Sequence, residues 1–285
     1  LARQTAVASG CFAPGDTMLS VMPVFHGFGL GVGIHTMLAH GGRCVLVPRL
    51  NIDEFAGLFK KYRPNYMAGV PTLFEAMLRN EGMKKADLSC LKGLFSGGDS
   101  LSIELKKKID AFLAERGAKI QVREGYGTTE CVTASCLTPI DNYREGSIGI
   151  QFPDTYYKIV IPSTNDEAPL GQMGEICISG PTVMKEYINN PKETSQTLRY
   201  HEDGRLYLHT GDLGYMDEDG FIYLVDRKKD VIISGGENLY PVQIEDFIRK
   251  HDSVKDVAVI GLPDERLGEI AAAIIEVKEG FSLTE

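Results

Sequence analysis

The first 125 residues alternate short apolar runs with segments of helical periodicity. Four of these runs predict buried β-strands, at positions 17–22, 43–47, 91–96 and 119–125. A helix is predicted to begin at Asn51, with Glu54 three residues later as in a capping box. Because strands that alternate with helices favour a largely parallel sheet covered by helices, we expect an α/β fold in this part.

A second helix is predicted to begin at Ser102. Its apolar residues recur at helical spacing and form one stripe, at Leu105, Ile109, Phe112 and Leu113. Three consecutive lysines, at 106–108, lie across from this stripe. We therefore expect the three lysines to form a solvated helix face.

The pattern changes near residue 130. From 132 to 225, short β-rich runs are separated by Gly, Pro and Asn, which predicts a small β-barrel or a distorted sandwich. The tetrapeptide 217–220 supplies a hairpin turn between two of these strands. From about 230, a strand, a Gly-Gly loop, a helix that begins at Pro241 and two more strands predict a small α+β unit.

Composition excludes several classes of protein. Of the 285 residues, 43% are hydrophobic and 24% are charged, which is ordinary for a globular protein and excludes a disordered or collagen-like chain. No apolar stretch reaches the ~18–20 residues that a membrane span needs. The net charge of −9 argues against nucleic-acid binding through a basic face.

The cysteines and glycines exclude some common motifs. Six cysteines are scattered without a Cys-x-x-Cys pair, so neither a disulfide-dense scaffold nor a zinc ribbon is expected, and reduced thiols favour a cytoplasmic protein. The glycines at 27, 29, 31 and 33 lack the G-x-G-x-x-G spacing, and no Walker loop is present.

One candidate ligand loop is SGGDS, at 96–100, which follows a predicted strand and precedes a predicted helix. Gly97 and Gly98 would let backbone N–H groups approach a ligand, with a helix N-terminus behind them. A plain tight turn explains the same residues.

A second candidate is EGYGTTE, at 124–130, which places an aromatic ring, two hydroxyls and a carboxylate at a strand end. Tyr126 can stack on a base, and Thr128 and Thr129 can hydrogen-bond phosphate oxygens. Glu130 can hold a hard cation such as Mg²⁺, which prefers oxygen ligands. A hydroxyl-rich strand end without a ligand is the alternative.

Two further candidates lie beyond residue 200. In HTGDLG (209–214), Asp212 is predicted to sit in a tight turn, where an exposed carboxylate can accept both hydroxyls of a ribose; a simple turn aspartate is the alternative. In DRKKDVIISGGENLYP (226–241), Arg227 can reach a ribose or a phosphate, and a charged interdomain linker is the alternative.

These four patterns occur in one order and, with PVFHGFG (23–29), resemble motifs of the adenylate-forming superfamily of acyl-CoA synthetases, peptide-synthetase adenylation domains and luciferases. GGENLYP resembles the acyl- and aryl-CoA ligase branch most. The resemblance covers essentially all 285 residues and implies an α/β fold with a helix-covered, mostly parallel sheet. The implied domains are 1–131 (α/β part of the large adenylating domain), 132–225 (β-barrel-like subdomain), 226–229 (hinge) and 230–285 (truncated α+β lid domain).

The resemblance also implies a set of site residues. The implied catalytic residues are His26, Thr129 and Glu130. The implied cofactor-binding residues are Gly97, Gly98, Tyr126, Gly127, Thr128, Asp212, Arg227 and Lys229.

Individual roles follow from the same resemblance. Tyr126 would stack on adenine, while Asp212 and Arg227 would hold the ribose. Thr129 would contact the α-phosphate and Glu130 would bind Mg²⁺. His26 would border the carboxylate or acyl group, with Gly97 and Gly98 lining the adenine and acyl site. Lys229 matches the hinge position, and the 234–240 loop would line the approach of the thiol.

The implied function is an ATP-dependent carboxylate–CoA ligase, which forms an acyl-adenylate with ATP and Mg²⁺ and then a thioester with coenzyme A. Glycines at 27, 29, 31 and 33 remove bulk beside His26, which favours a long acyl tunnel and a fatty acid; the same glycines equally favour close packing of a helix on the sheet. The partners are expected to be small molecules, with no nucleic acid or transmembrane segment, and an oligomer is possible. Two alternatives stay open: an adenylation domain that loads a carrier-protein thiol, and a non-catalytic nucleotide-binding remnant.

Some family features are not found in the sequence. The phosphate loop would lie before Leu1, and the Gly-Lys segment with the adenylation lysine would lie past Glu285. We therefore expect a chain cut from something longer, with little synthetase activity alone. GSIGIQFPD (146–154) also departs from the family pattern at Gln151 and Asp154.

Overall fold

The computed structural model describes residues 1–283, and contacts between residues divide the chain into two compact units. The first unit comprises Leu1–Tyr157, Ile178–Leu208 and Asp217–Ile222. The second unit comprises Lys158–Cys177, His209–Met216 and Tyr223–Glu285.

Helices and strands alternate through the first 126 residues. The helices are α1 (Ala2–Ser9), a π-helix (Phe28–Thr36), α2 (Met37–Ala39), α3 (Phe55–Tyr62), α4 (Pro71–Arg79) and α5 (Ile103–Glu115). The strands are β1 (Thr17–Ser20), β2 (Arg43–Leu46), β3 (Tyr66–Gly69), β4 (Gly93–Ser96) and β5 (Val122–Tyr126). Single turns of 3₁₀-helix lie at Ile52–Glu54, Met83–Lys85 and Thr129–Cys131.

These strands form the parallel part of a seven-stranded sheet, as the alternation of strands and helices predicts. The strand order is β2-β1-β3-β4-β5, followed by the antiparallel strands β6 (Cys136–Leu137) and β7 (Ile150–Gln151). The central strand β3 was not predicted from the sequence. All four predicted strands are present, with shorter bounds.

Both faces of this sheet are covered by apolar side chains. Leu19, Met67 and Leu94 belong to one buried cluster, while their neighbours Met18 and Phe95 belong to another. Because successive side chains of a strand point to opposite faces, the alternation shows that the sheet is buried on both sides. The first cluster also contains residues of α3, α4 and α5, among them Phe55, Phe59, Phe74, Ile109 and Leu113.

The rest of the chain is rich in antiparallel strands. Its elements are β8 (Tyr156–Val160), β9 (Gly174–Ser179), α6 (Pro191–Thr197), β10 (Leu198–Tyr200), β11 (Leu206–Met216), β12 (Ile222–Arg227), β13 (Ile232–Ser234), β14 (Glu237–Leu239), α7 (Pro241–Ile248), β15 (Val254–Asp264) and β16 (Gly268–Val277). One sheet has the order β10-β11-β9-β8 with β12 paired to β11, and another has the order β14-β13-β16-β15.

Two local predictions in this part are confirmed. Residues 217–220 form the hairpin turn between β11 and β12, where the Gly220 N–H donates to the Asp217 carbonyl at 3.0 Å. The region after 230 is an α+β unit whose helix α7 begins at Pro241. It contains one strand more than predicted, because the Gly-Gly loop leads directly into β14.

Two predictions about helices need correction. Lys106 is not solvated: it is 4% exposed, forms an ion pair with Asp110 at 2.6 Å, and places its ammonium over the Tyr143 ring. The side chain is buried because Tyr143, from a loop outside the helix, covers it; Lys107 and Lys108 are exposed as expected. Asn51 caps a single 3₁₀ turn, and the α-helix α3 begins only at Phe55.

Among residues 1–283, no helix has both the length and the apolar character needed to cross a membrane.

We expect Phe74→Ala to lower the free energy of unfolding by about 3–5 kcal/mol, because it removes a fully buried ring from the larger core cluster. The measurement is urea unfolding of the parent protein and the variant. The matched control is Phe25→Ala, whose ring is 92% exposed and whose loss should cost less than ~0.5 kcal/mol. Equal costs for the two variants would contradict the assignment of Phe74 to the core.

Candidate active site

Two glycine-containing loops meet at the carboxyl edge of the parallel sheet in the first unit. Strands β4 and β5 pair in parallel with Ser96 opposite Glu124, so Gly97 leaves one strand beside Gly125 of the other. A Cβ atom at Gly97 would lie 3.2 Å from the Gly125 carbonyl oxygen, and Gly98 has a φ of +80°. The carboxyl edge of an open α/β sheet is where ligands bind in such folds.

The segment after β5 is a short, tightly fixed turn. A Cβ atom at Gly127 would lie 2.1 Å from the Thr133 carbonyl oxygen, so no side chain fits there. The Thr128 N–H donates to the buried Cys131 Sγ at 3.2 Å, which closes the single 3₁₀ turn. The turn leaves Thr129 exposed and Glu130 half-buried, while Tyr126 ends the strand.

Glu130 is held at two points by a distant loop segment. The Tyr187 hydroxyl donates to Glu130 Oε1 at 2.7 Å, and the Met184 N–H donates to the Glu130 carbonyl oxygen at 2.7 Å. Burial opposes ionisation, but hydrogen bonds from Tyr187, from its own backbone N–H and from Thr128 hold the pKa of Glu130 below its usual value. Burial and the Glu130 charge raise the pKa of Tyr187 to about 12, so its hydroxyl is the donor.

Glu124 is a second carboxylate that the sequence did not single out. It is half-buried, and one oxygen accepts the Leu101 N–H at 3.2 Å. Burial raises the pKa of Glu124 to about 7, although the Leu101 N–H and the charge of Lys106 act in the opposite direction. This carboxyl group ties the loop after Gly98 to the strand that carries Tyr126.

His26 lies on an exposed segment that contacts the same turn. The Phe28 N–H donates to His26 Nδ1 at 3.1 Å, and the next residue is packed so closely that a Cβ atom at Gly27 would lie 2.0 Å from Thr133 Oγ1. The structure therefore brings the His26 segment against the turn that carries Thr128, Thr129 and Glu130.

The glycines after His26 lie mainly at close approaches of the chain. A Cβ atom would lie 2.2 Å from the Pro23 carbonyl oxygen at Gly29, and 2.6 Å from Leu1 Cδ2 at Gly31. At Gly33, by contrast, the nearest atom would be 3.8 Å away. Close approaches to Pro23, Leu1 and Thr133 therefore explain Gly27, Gly29 and Gly31, and none of these three contacts is with a strand of the sheet.

In the second unit, Asp212 and Arg227 form an ion pair. Asp212 Oδ1 lies 3.4 Å from Arg227 Nε, at the end of β12. The predicted tight turn and exposed carboxylate are wrong: Asp212 lies inside β11 and is only 6% exposed. The strand continues through Gly211, although this glycine has a left-handed φ of +75°. Arg227 itself is exposed.

Glu175, which no sequence motif contains, organises the chain around Asp212. Its Oε1 accepts the Gly211 N–H at 3.1 Å, and its Oε2 lies 3.4 Å from Lys228 Nζ and 3.5 Å from His209 Nδ1. Burial alone would raise the pKa of Glu175, but the His209 hydrogen bond and the charge of Lys228 bring it below its usual value. A lone carboxylate within the apolar run GEICIS was the signal that could have identified it.

Lys229 follows Arg227 by two residues and is exposed in a turn, where the Asp230 N–H donates to the Arg227 carbonyl oxygen at 2.9 Å. The 234–240 loop contains the two-residue hairpin between β13 and β14. Gly235 and Gly236 have φ values of +59° and +87°, as a tight hairpin of this kind requires.

The structure thus groups the candidate residues within each unit. In the first unit, the loops that carry Gly97, Gly98 and Tyr126 are neighbours, and the His26 segment packs on the turn that contains Glu130. In the second unit, Asp212 and Arg227 are paired, with Lys229 close behind in sequence.

Comparison with known proteins identifies the family. The model of the family described as "AMP-binding enzyme" matches residues 2–188, and the model described as "AMP-binding enzyme C-terminal domain" matches residues 243–285. The chain belongs to the AMP-binding enzyme family. The resemblance to adenylate-forming enzymes is thereby confirmed, and so is the expected α/β fold, in which the structure adds antiparallel sheets to the parallel one.

The relatives of this chain include several CoA ligases. A long-chain-fatty-acid–CoA ligase of Bacillus subtilis (strain 168) is 36% identical over 266 residues, which are 93% of this chain and 46% of that protein. A probable 4-coumarate–CoA ligase 1 of Dictyostelium discoideum is 34% identical over 98% of this chain and 49% of its own length. The chain therefore spans about half the length of the curated relatives it matches.

Solved structures show the same fold. ATP-bound MatB from Rhodopseudomonas palustris aligns with a TM-score of 0.89 at 29% identity, over 99% of this chain and 54% of that one. The fold of this chain is therefore also found in an experimentally solved structure.

We expect Glu124 to make stability fall as the pH rises from about 4.5 to about 7, because in this window the folded state retains a proton that the unfolded chain has lost. Below this window both states are protonated, and above it both are ionised. Each pH unit inside the window costs about 1.4 kcal/mol at most.

The test of this dependence is urea unfolding at pH 5, 6, 7 and 8 for the parent protein and Glu124→Gln. The variant, which has no carboxyl group to titrate, should gain stability relative to the parent between pH 5 and pH 8. Glu104→Gln, at an exposed glutamate of α5, is the control. Parallel pH profiles for the parent and Glu124→Gln would contradict the raised pKa.

Proposed function

We propose that this chain is part of an ATP-dependent carboxylate–CoA ligase. The enzyme would join a carboxylic acid to AMP with release of pyrophosphate, and would then transfer the acyl group to the thiol of coenzyme A. The observation that carries the proposal is the meeting of the Gly97 loop and the Tyr126 strand at the carboxyl edge of the sheet, with an oriented Glu130 beyond them.

The nucleotide would be held by residues of the sequence motifs. Tyr126 would stack on the adenine, beside the open backbone at Gly97 and Gly98. Asp212 would accept hydrogen bonds from the ribose hydroxyls, and Arg227 would hold the ribose from the exposed side of the ion pair. The family membership supports these roles, as does the ATP named in the MatB structure.

The reacting groups would lie near the turn after β5. Thr129, which is exposed, would contact the α-phosphate, with Gly127 and Thr128 fixing the backbone beside it. His26 would border the carboxylate of the acid. These residues would act by binding and orienting the acid and the α-phosphate, which removes much of the entropy cost of bringing two anions together.

Mg²⁺ fits the donor set of the first unit. A low pKa keeps Glu130 ionised at neutral pH, and hydroxyl-bearing residues precede it in the same turn. Such oxygen ligands are those that Mg²⁺ prefers. When bound, the metal would offset the negative charge of the phosphates.

The acyl substrate is proposed to be a fatty acid. The long-chain-fatty-acid–CoA ligase of B. subtilis supports this choice, while the 4-coumarate–CoA ligase relative makes an aromatic acid the obvious comparison in any assay.

The domain organisation of the chain is also a proposal. Residues 226–229 would be a hinge and the region from 230 a lid, with 1–131 and 132–225 as parts of the large domain. The free state of all six cysteines supports a cytoplasmic location.

The experiment uses the full-length gene product that contains this chain. Pyrophosphate release is measured with ATP and a panel of fatty and aromatic acids, and acyl transfer is measured with coenzyme A and, separately, with a carrier-protein thiol. We expect acid-dependent pyrophosphate release, with fatty acids as the best substrates and coenzyme A as the acceptor. No release with any acid would contradict the proposal.

We expect Glu130→Ala to reduce pyrophosphate release by about 100-fold or more, because an oriented charge partner in the reaction is lost. Glu81→Ala, at an exposed glutamate outside the motifs, is the matched control and should be close to the parent protein. A Glu130→Ala enzyme that releases pyrophosphate at the parent rate would contradict the role of Glu130.

A further inference from the structure

The geometry around Glu130 points to a role for a residue outside the five sequence motifs, Tyr187. We propose that Tyr187 is a positioning residue for Glu130, and that it sets the carboxylate orientation in which Glu130 binds a divalent cation. This inference rests on the proposed function, because it takes Glu130 as the cation-binding carboxylate.

The contact is direct and comes with a second one from the same segment. The Tyr187 hydroxyl donates to Glu130 Oε1 at 2.7 Å. Three residues earlier, the Met184 N–H donates to the Glu130 carbonyl oxygen, also at 2.7 Å. The side chain and the backbone of Glu130 are therefore both fixed by residues 184–187, which leaves the carboxylate little freedom to rotate.

Tyr187 is itself anchored by the start of α6. Its N–H donates to Thr194 Oγ1 at 2.9 Å, and its carbonyl oxygen accepts the Asn190 N–H at 3.2 Å. Asn190 caps α6, and Pro191 occupies the first turn of the helix. Since a capped, proline-started helix has a well-defined beginning, the tyrosine is presented from a fixed point.

The arrangement differs from a simple surface hydrogen bond. A carboxylate has two oxygens, and a donor on Oε1 fixes the plane of the group and so the direction of its other lone pairs. The adjacent Ile188 is 85% exposed, so the segment is not part of a large apolar core that would need Tyr187 for packing alone. Partners that orient a metal-binding carboxylate commonly change the metal affinity by about 10–100-fold when they are removed.

The test is the Tyr187→Phe variant, which keeps the ring and removes only the hydroxyl. Mn²⁺ binding is measured by electron paramagnetic resonance in the full-length gene product that contains this chain, in the presence of α,β-methylene-ATP. We expect Tyr187→Phe to bind Mn²⁺ about 10-fold more weakly than the parent protein. Its urea unfolding in the absence of metal and nucleotide should stay close to that of the parent.

Two further variants make the result specific. Tyr62→Phe, which removes the hydroxyl of a partly exposed tyrosine in α3, should bind Mn²⁺ like the parent. Glu130→Gln should lose most of the protein-dependent binding.

The outcomes separate the two proposals. Equal Mn²⁺ affinity in the parent and Tyr187→Phe, with Glu130→Gln impaired, would overturn the positioning role alone. Unchanged affinity in Glu130→Gln would instead overturn the proposed role of Glu130, and the positioning role with it. A 10-fold loss in Tyr187→Phe together with an equal loss in Tyr62→Phe would also overturn the positioning role, because the effect would then not be specific.

Discussion

The parallel pairing of β4 with β5 is the constraint on which the first unit's candidate site depends. With Ser96 opposite Glu124, the two strands end at the same edge, and the backbone at Gly97 passes the Gly125 carbonyl at a distance that a larger side chain would crowd. The same register lets Glu124 accept the Leu101 N–H, and it places the Tyr126 turn next to the glycine loop. Because that turn is closed internally at Thr128 and Cys131, and braced from outside by Tyr187, Glu130 has a fixed place without any ligand.

In the second unit, ion pairs and hydrogen bonds hold the buried carboxylates Asp212 and Glu175 in place. Asp212 is nearly inaccessible within β11, and an ionised carboxylate in such a place needs polar partners. Arg227 supplies one of them, while Glu175 holds the neighbouring Gly211 N–H and is itself close to Lys228 and His209.

The sequence alone predicts much of this, and the failures have physical reasons. Apolar runs predict β1, β2, β4 and β5, whereas β3 is the sequence YMAG, in which alanine and glycine, both uncommon in strands, interrupt any run of large apolar residues. The predicted turn at Asp212 is wrong because Gly211 adopts its left-handed conformation inside a strand. The predicted solvation of Lys106 is wrong because the helix pattern does not reveal that Tyr143 covers it. The motifs name Tyr126, Glu130, Asp212 and Arg227, yet no local pattern marks Tyr187, since its partner lies far away in the sequence.

The central claim of the proposal is that Tyr126, at the carboxyl edge of the parallel sheet, takes part in nucleotide binding. The most direct measurement is AMP binding by isothermal titration calorimetry to the full-length gene product that contains this chain, to Tyr126→Ala and to the control Tyr62→Ala, whose ring is 38% exposed in α3. The proposal predicts one AMP per chain in the parent protein, a loss of affinity of about 10-fold or more in Tyr126→Ala, and the parent affinity in Tyr62→Ala. A Tyr126→Ala protein that binds AMP with the parent affinity would contradict it.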